Sequence, residues 1–354
     1  MLELTRSIGE LKARGQRPRR TLMVCSWDGE EYALTGSTEW GEQFQDDLKK
    51  KLVAYLNVDE SVSGAATTAG PEGLTFEVDA VGSLAPMIVE ASREIRAPSG
   101  KSLHDAWLAT AARERKPKPK HPLTDADLVD PRIGSGSDHT VFLNHLGRPT
   151  VGLGFTGDYG VYHSQYDDHY WMAHIGDPDF AYHVALTRVW GVLALRLANA
   201  DALPFDFGFY GGTLNAFVDE LASHKGVKKH VDLKPLRKRV AEFEKEGQQL
   251  RSSIEQVLAS RSVAPQRFDV LNAALMQVES NWLDPKGITG RPWFQHLLYA
   301  ARYTYAHLEL PALTEAVESQ DWPAAKLQAE RLEAAFAKNR ELLHSARVAW
   351  EKPE

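Results

Sequence analysis

The chain has 354 residues, a formal net charge of −7, one cysteine, 43% apolar and 25% charged residues. That length predicts two or three domains and excludes a disulfide-stapled miniprotein, while the composition is that of a globular protein with a sizeable core. The acidic balance provides no positive field to gather a polyanion, so nucleic acid is not expected as a partner. The most apolar stretch, Ala181 to Ala200, is interrupted by His183, Arg188 and Arg196, so no transmembrane segment is expected. The first residues lack the basic start and continuous apolar run of an export signal.

In chain order, Leu2, Leu4, Ile8 and Leu11 have helical spacing with no capping residue before them, as if the chain opened inside an element. Thr21 to Trp27 is a short, almost continuous apolar run of the kind a parallel strand buried on both faces requires. It carries Cys25, expected as a buried, inert thiol. Ser37 or Thr38 is placed to cap a helix over Glu39 to Lys51, whose acids lead and whose lysines trail, as the helix dipole favours. Leu52 to Val58 is a second apolar run. Strand, helix and strand at crossover length predict a parallel α/β sheet.

Further strands are expected near Pro71 to Val78 and Thr150 to Phe155, with helices over Leu84 to Ile95, Lys101 to Arg115 and about Pro178 to Ala200. The lysine and proline run Lys116 to Lys120 reads as a solvated loop. Beyond Pro204 the pattern changes. Leu233 to Ser260, Ala264 to Trp282 and Trp322 to Trp350 read as long helices with no strand runs between them. The expected architecture is an α/β domain of mostly parallel sheet over residues 1–206, followed by an all-helical domain over 207–354.

Ligands of open parallel sheets bind beyond the carboxyl ends of the strands. Here both predicted strands end in acid: Glu30 and Glu31 follow the first, and Asp59 follows the second. Such carboxylates are compatible with plain solvated surface. They are equally compatible with metal binding or proton transfer, in which neighbours divide ligation and abstraction. His163 lies on a loop after a strand, where an imidazole serves either as a zinc ligand or as an ordinary loop residue. Tyr162 beside it can donate its phenol to a developing oxyanion or simply pack as an aromatic.

Ser26-Trp27-Asp28-Gly29-Glu30-Glu31, Gly36-Ser37-Thr38-Glu39-Trp40, Leu56-Asn57-Val58-Asp59, Gly134-Ser135-Gly136-Ser137-Asp138 and Tyr162-His163-Ser164 occur in a telling order and spacing. Together they resemble the glutamate carboxypeptidase II family of zinc metallopeptidases, which includes prostate-specific membrane antigen and its catalytically silent relative, the transferrin receptor. Arg291-Pro292-Trp293-Phe294 and the helices around it resemble that family's C-terminal dimerisation domain. The resemblance implies an exopeptidase fold, a peptide substrate, two zinc ions per active site, a homodimer through the C-terminal helices and an extracytoplasmic location. By position it implies Glu30 as general base, Glu31 and His163 as ligands of one zinc, and Asp59 as a ligand of the other. Tyr162 would steady the tetrahedral intermediate, and Ser135, Gly136 and Tyr305 would line the substrate cleft. Glu39 and Glu42 match positions that hold a structural calcium in some members.

The chain also departs from that pattern. The family needs a histidine and a bridging aspartate before the double glutamate, whereas residues 1–29 hold no histidine and only Asp28, itself part of the glutamate motif. Without a bridge, two divalent ions repel each other across a half-empty shell, so the chain as given is expected to be a poor hydrolase. It reads either as part of a longer enzyme or, alternatively, as a non-catalytic transferrin receptor-like dimerisation or binding module. Gly152 and Gly154 stand where glutamate-preferring members carry arginines, and Thr304 where they carry a lysine. Losing those charge-assisted hydrogen bonds predicts a general peptide exopeptidase in place of a glutamate-specific one.

Overall fold

The computed structural model describes residues 1–71, 73–114, 121–260, 262–303 and 306–352. The first part runs α1 (Leu2–Ala13), α2 (Thr35–Gln43), α3 (Gln45–Lys51), β1 (Tyr55–Asn57), β2 (Val62–Ser63), β3 (Thr75–Ala80), α4 (Ala85–Glu94), α5 (Leu103–Glu114), β4 (Thr150–Thr156), α6 (His169–Trp171) and α7 (Ala181–Asn199). Strand β4 is the hub of the sheet: β1 and β2 pair with it in parallel and β3 antiparallel. Its alternation decides the buried face, because Val151, Leu153 and Phe155 enter the core while the positions between them face the other way. Helices α4, α5 and α7 cover the apolar face through residues such as Ile88, Trp107 and Val189.

The second part continues with α8 (Phe207–Ser223), α9 (Val227–His230), α10 (Lys234–Ser260), α11 (Pro265–Ser280), β5 (Tyr299–Ala301), β6 (His307–Glu309), α12 (Pro311–Glu318) and α13 (Trp322–Glu351). Phe243 on α10 and Phe336 on α13 are fully buried with Trp282, their rings meeting at steep angles 4.8–5.8 Å apart. Helix α8 is glycine-rich, a composition that disfavours helix, yet the glycines allow α10 to approach closely. A Cβ on Gly211 would lie 2.5 Å from that of Glu244, and one on Gly247 2.5 Å from the Phe207 carbonyl carbon. The polar centre is also buried: Tyr210 and His296 both donate to Glu279 Oε1 at 3.1 Å.

Several expectations are corrected. Thr21 to Trp27 forms no strand. Among the described residues no strand pairs with it, and a run suited to burial on both faces stays open, with Met23 67% and Val24 40% exposed. Cys25 is half-buried, and this partial burial pushes its thiol upward. The helix expected over Glu39 to Lys51 begins earlier and divides at Phe44, so Ser37 and Thr38 lie inside α2 and do not cap it. The second apolar run pairs only over Tyr55–Asn57, and its partner is β4. The C-terminal region is not purely helical, since β5 and β6 form an antiparallel pair of three residues each. The Lys116 to Lys120 loop lies outside the described residues.

Asp79 on β3 sits opposite Gly152 and is bridged to Asp130. Burial, then the Asp130 and Glu77 carboxylates, push it up to about 7. An unfolded aspartate titrates near ~3.9, so between there and the raised value the folded chain holds a proton that the unfolded chain has lost. Stability therefore falls as pH rises through that window. Asp79→Asn is predicted to raise stability by roughly 2–4 kcal/mol at about pH 8, with little gain at about pH 4. Urea unfolding at both values checks this; an equal change at the two, or a loss at the higher, contradicts it.

Candidate functional site

The double glutamate lies on a tight turn. Gly29, Ala33 and Leu34 all adopt left-handed backbone, with φ of 70°, 61° and 58°. The Leu34 amide donates to Glu30 O at 2.8 Å and that of Gly36 to Asp28 O at 3.1 Å. Gly36 has no substitute here, since a Cβ would fall 2.1 Å from Asp28 O. Non-glycine residues persist in this region only where their surroundings hold them, and such places concentrate at functional sites. His163 is another, with φ of 56°.

The two strained segments meet. His163 Nε2 lies 2.9 Å from Glu31 Oε1, both side chains more than half exposed, and the Tyr162 ring stacks on the imidazole at 3.8 Å. Asp59 follows β1 and accepts from Ser137 Oγ at 2.6 Å. Ser135 and Gly136 precede Ser137 on a loop held from both sides. Asn144 Nδ2 donates to Gly134 O at 2.7 Å, the Gly134 amide donates to His307 Nδ1 at 3.1 Å, and a Cβ on Gly134 would lie 2.4 Å from Ala300 O. Glu39 and Glu42 lie one turn apart on α2, Glu39 exposed and Glu42 accepting from the Trp293 indole at 2.5 Å. Tyr305 and Thr304 lie outside the described residues.

The rim is acidic. Burial pushes Glu30 up to about 7, helped by Asp59, Glu31 and Asp138 and opposed by His163. Burial, then the Glu60, Glu31, Asp59 and Glu30 carboxylates, keep the Tyr162 phenol protonated well into the alkaline range. Glu60, Asp138 and Tyr159 also belong to this setting although the sequence reading did not single them out. Glu60 is raised by burial despite a hydrogen bond from Ser63, Asp138 is only 8% exposed, and the Tyr159 hydroxyl donates to Asp167. Glu60 adjoins the predicted Asp59, and Asp138 closes the Gly134-Ser135-Gly136-Ser137-Asp138 motif; these positions were the signal by which they were discoverable.

A carboxylate and an imidazole within reach of one ion, with solvent on the remaining side, are a donor set that zinc accepts. The set is incomplete for a paired centre: among the described residues no three His, Cys, Asp or Glu side chains are grouped to hold a metal ion.

Residues 1–175 match the profile of peptidase family M28 and residues 231–344 that of the transferrin receptor-like dimerisation domain. Similar proteins include the probable glutamate carboxypeptidase LAMP1 of Arabidopsis thaliana, 32% identical over 90% of this chain and 43% of the relative. The probable glutamate carboxypeptidase VP8 of Zea mays is 35% identical over 86% of this chain and 40% of its own length. The aminopeptidase NAALADL1 of Mus musculus is 31% identical over 85% and 40%, respectively. The chain thus spans less than half the length of these relatives. With a peptidase profile over its sheet and acidic rim and a dimerisation profile over its helices, the chain belongs to the glutamate carboxypeptidase-like M28 metallopeptidases.

Proposed function

We propose that the acidic rim is this chain's share of a co-catalytic dizinc exopeptidase centre. The observation that carries the reading is the 2.9 Å approach of His163 to Glu31 on a rim shared electrostatically with Glu30 and Asp59. In this reading Glu31 and His163 hold one zinc and Asp59 the other. Zinc, when bound, supplies a Lewis acid that polarises the scissile carbonyl and acidifies water. The protein's own groups do the rest. Glu30, whose proton affinity sits near neutrality, takes a proton from the attacking water and returns it to the leaving amine. Tyr162 keeps its phenolic proton and donates it as a hydrogen bond to the oxyanion. Ser135 and Gly136 line the cleft in this reading, Tyr305 outside the described residues is a substrate-binding candidate by resemblance alone, and Glu39 and Glu42 are the candidate calcium ligands.

An upstream histidine and a bridging aspartate have no counterpart among residues 1–29, so the chain alone is proposed to be a weak hydrolase. The absence of a three-donor group among the described residues also favours a second reading, a non-catalytic dimerisation or binding module. The dimerisation profile supports a homodimer through the helices of residues 207–354, and the relatives' peptidase names support a peptide substrate; an extracytoplasmic setting is proposed from the family resemblance alone. No helix among the described residues is long and apolar enough to cross a membrane.

Zinc titration by calorimetry is predicted to give weak binding, with His163→Ala or Glu31→Ala lowering affinity at least ~10-fold; two tightly bound ions per chain would contradict the incomplete shell. In a chain to which the two missing ligands have been supplied, Glu30→Gln is expected to lower kcat by about 10²–10⁴ while KM changes little. Since Gly152 and Gly154 offer no cation, that chain should cleave neutral and acidic peptides at similar rates. A strong preference for C-terminal glutamate would refute this.

A further inference from the structure

Asp59 is exposed, yet its carboxylate is attached to a line of partly to fully buried side chains that runs in one direction. Trp27 Nε1 donates to the Tyr55 hydroxyl at 2.9 Å, Tyr55 donates to Asn57 Oδ1 at 3.0 Å, Asn57 Nδ2 donates to Ser137 Oγ at 2.9 Å, and Ser137 donates to Asp59 Oδ2 at 2.6 Å. An indole N–H can only donate. With Trp27 occupying a lone pair of Tyr55, the phenol proton turns to Asn57. The Asn57 amide then presents its nitrogen to Ser137, and the single Ser137 proton is left for Asp59. Burial raises the Tyr55 phenol far above neutrality, so it remains a donor throughout.

The surroundings hold this line still. Asn57 is 6% and Ser137 7% exposed, and the Tyr55 ring stacks on Phe142 at 4.1 Å and 14°. Trp27 packs between Trp40 and Phe142. Asn57 also pairs in register with Gly152 of β4, so the relay is referred to the central strand.

We propose that Ser137 is a positioning residue for Asp59, set by this one-way relay from the Trp27 indole. It removes one carboxylate oxygen from the choice of orientations and leaves the other for a ligand at the rim. The inference rests on the reading of Asp59 as a zinc ligand, and its test separates the two.

The test compares the full chain with Ser137→Ala, Ser137→Thr, Asn57→Leu and Trp27→Phe in crystal structures without metal and in titrations with zinc or cobalt(II), with Asp59→Ala as reference. The Asp59 carboxylate is expected in one orientation in the wild type and Ser137→Thr, and in several in Ser137→Ala and Asn57→Leu. Whatever zinc or cobalt(II) binding Asp59→Ala removes should weaken in those two variants, recover with threonine and weaken less in Trp27→Phe. The visible cobalt spectrum should shift with the carboxylate while thermal stability of the threonine variant stays at the wild-type value. Wild-type carboxylate order and affinity in Ser137→Ala would overturn the relay. If Asp59→Ala binds metal as the wild type does, the ligand reading fails, and carboxylate order alone then decides the positioning role.

Discussion

The constraint on which the rim most depends is the contact of Gly134 with the Ala300 carbonyl, where a Cβ would lie 2.4 Å from the oxygen. Through it the loop that carries Ser135, Gly136 and Ser137 is seated on the β5–β6 pair, while its far end reaches Asp59 through the Ser137 hydroxyl. The helical region therefore contributes to the rim without supplying any of its proposed ligands. A disturbance of β5 or β6 would travel to Asp59 through a single short loop, since packed groups transmit displacement instead of absorbing it.

Half of the described non-glycine residues with left-handed backbone lie at the same rim. Ala33, Leu34 and His163 hold left-handed backbone close to the double glutamate and its imidazole partner. Like charges are gathered there as well: Asp59, Glu31 and Asp138 add to the burial that raises Glu30, and Asp59 adds to that which raises Asp138. Repulsion opposes the simultaneous ionisation of neighbouring carboxylates, and a cation placed among them relieves it. A divalent ion held by Glu31 and His163, as proposed, would supply that relief and tie the electrostatics of the rim to the chemistry of its family.

Much of this arrangement was legible in the residues. Strand β4 declared itself through the alternation of Val151, Leu153 and Phe155, and the helices α4, α5, α7, α10, α11 and α13 through their periodicity and breakers. The Thr21 to Trp27 run misled because burial on both faces is a property of neighbours, which the run itself cannot reveal. Helix α8 escaped notice because its glycines argue against helix locally, and Gly208 and Gly211 pay off only in contact with α10. The β5–β6 pair is three residues a side, too short for any pattern. At the site, motif likeness named Glu31 and His163, but their contact joins residues far apart in the chain. The Ser137 link to Asp59 left no local trace, being made by small polar residues whose partners only the fold brings near.

The central claim is that Glu31 and His163 face each other because they belong to one zinc shell. Anomalous diffraction at the zinc absorption edge, from crystals of the chain equilibrated with zinc, tests it directly. The account predicts a peak within bonding distance of both Glu31 Oε1 and His163 Nε2; a zinc peak elsewhere, with that pair left in direct contact, would contradict it.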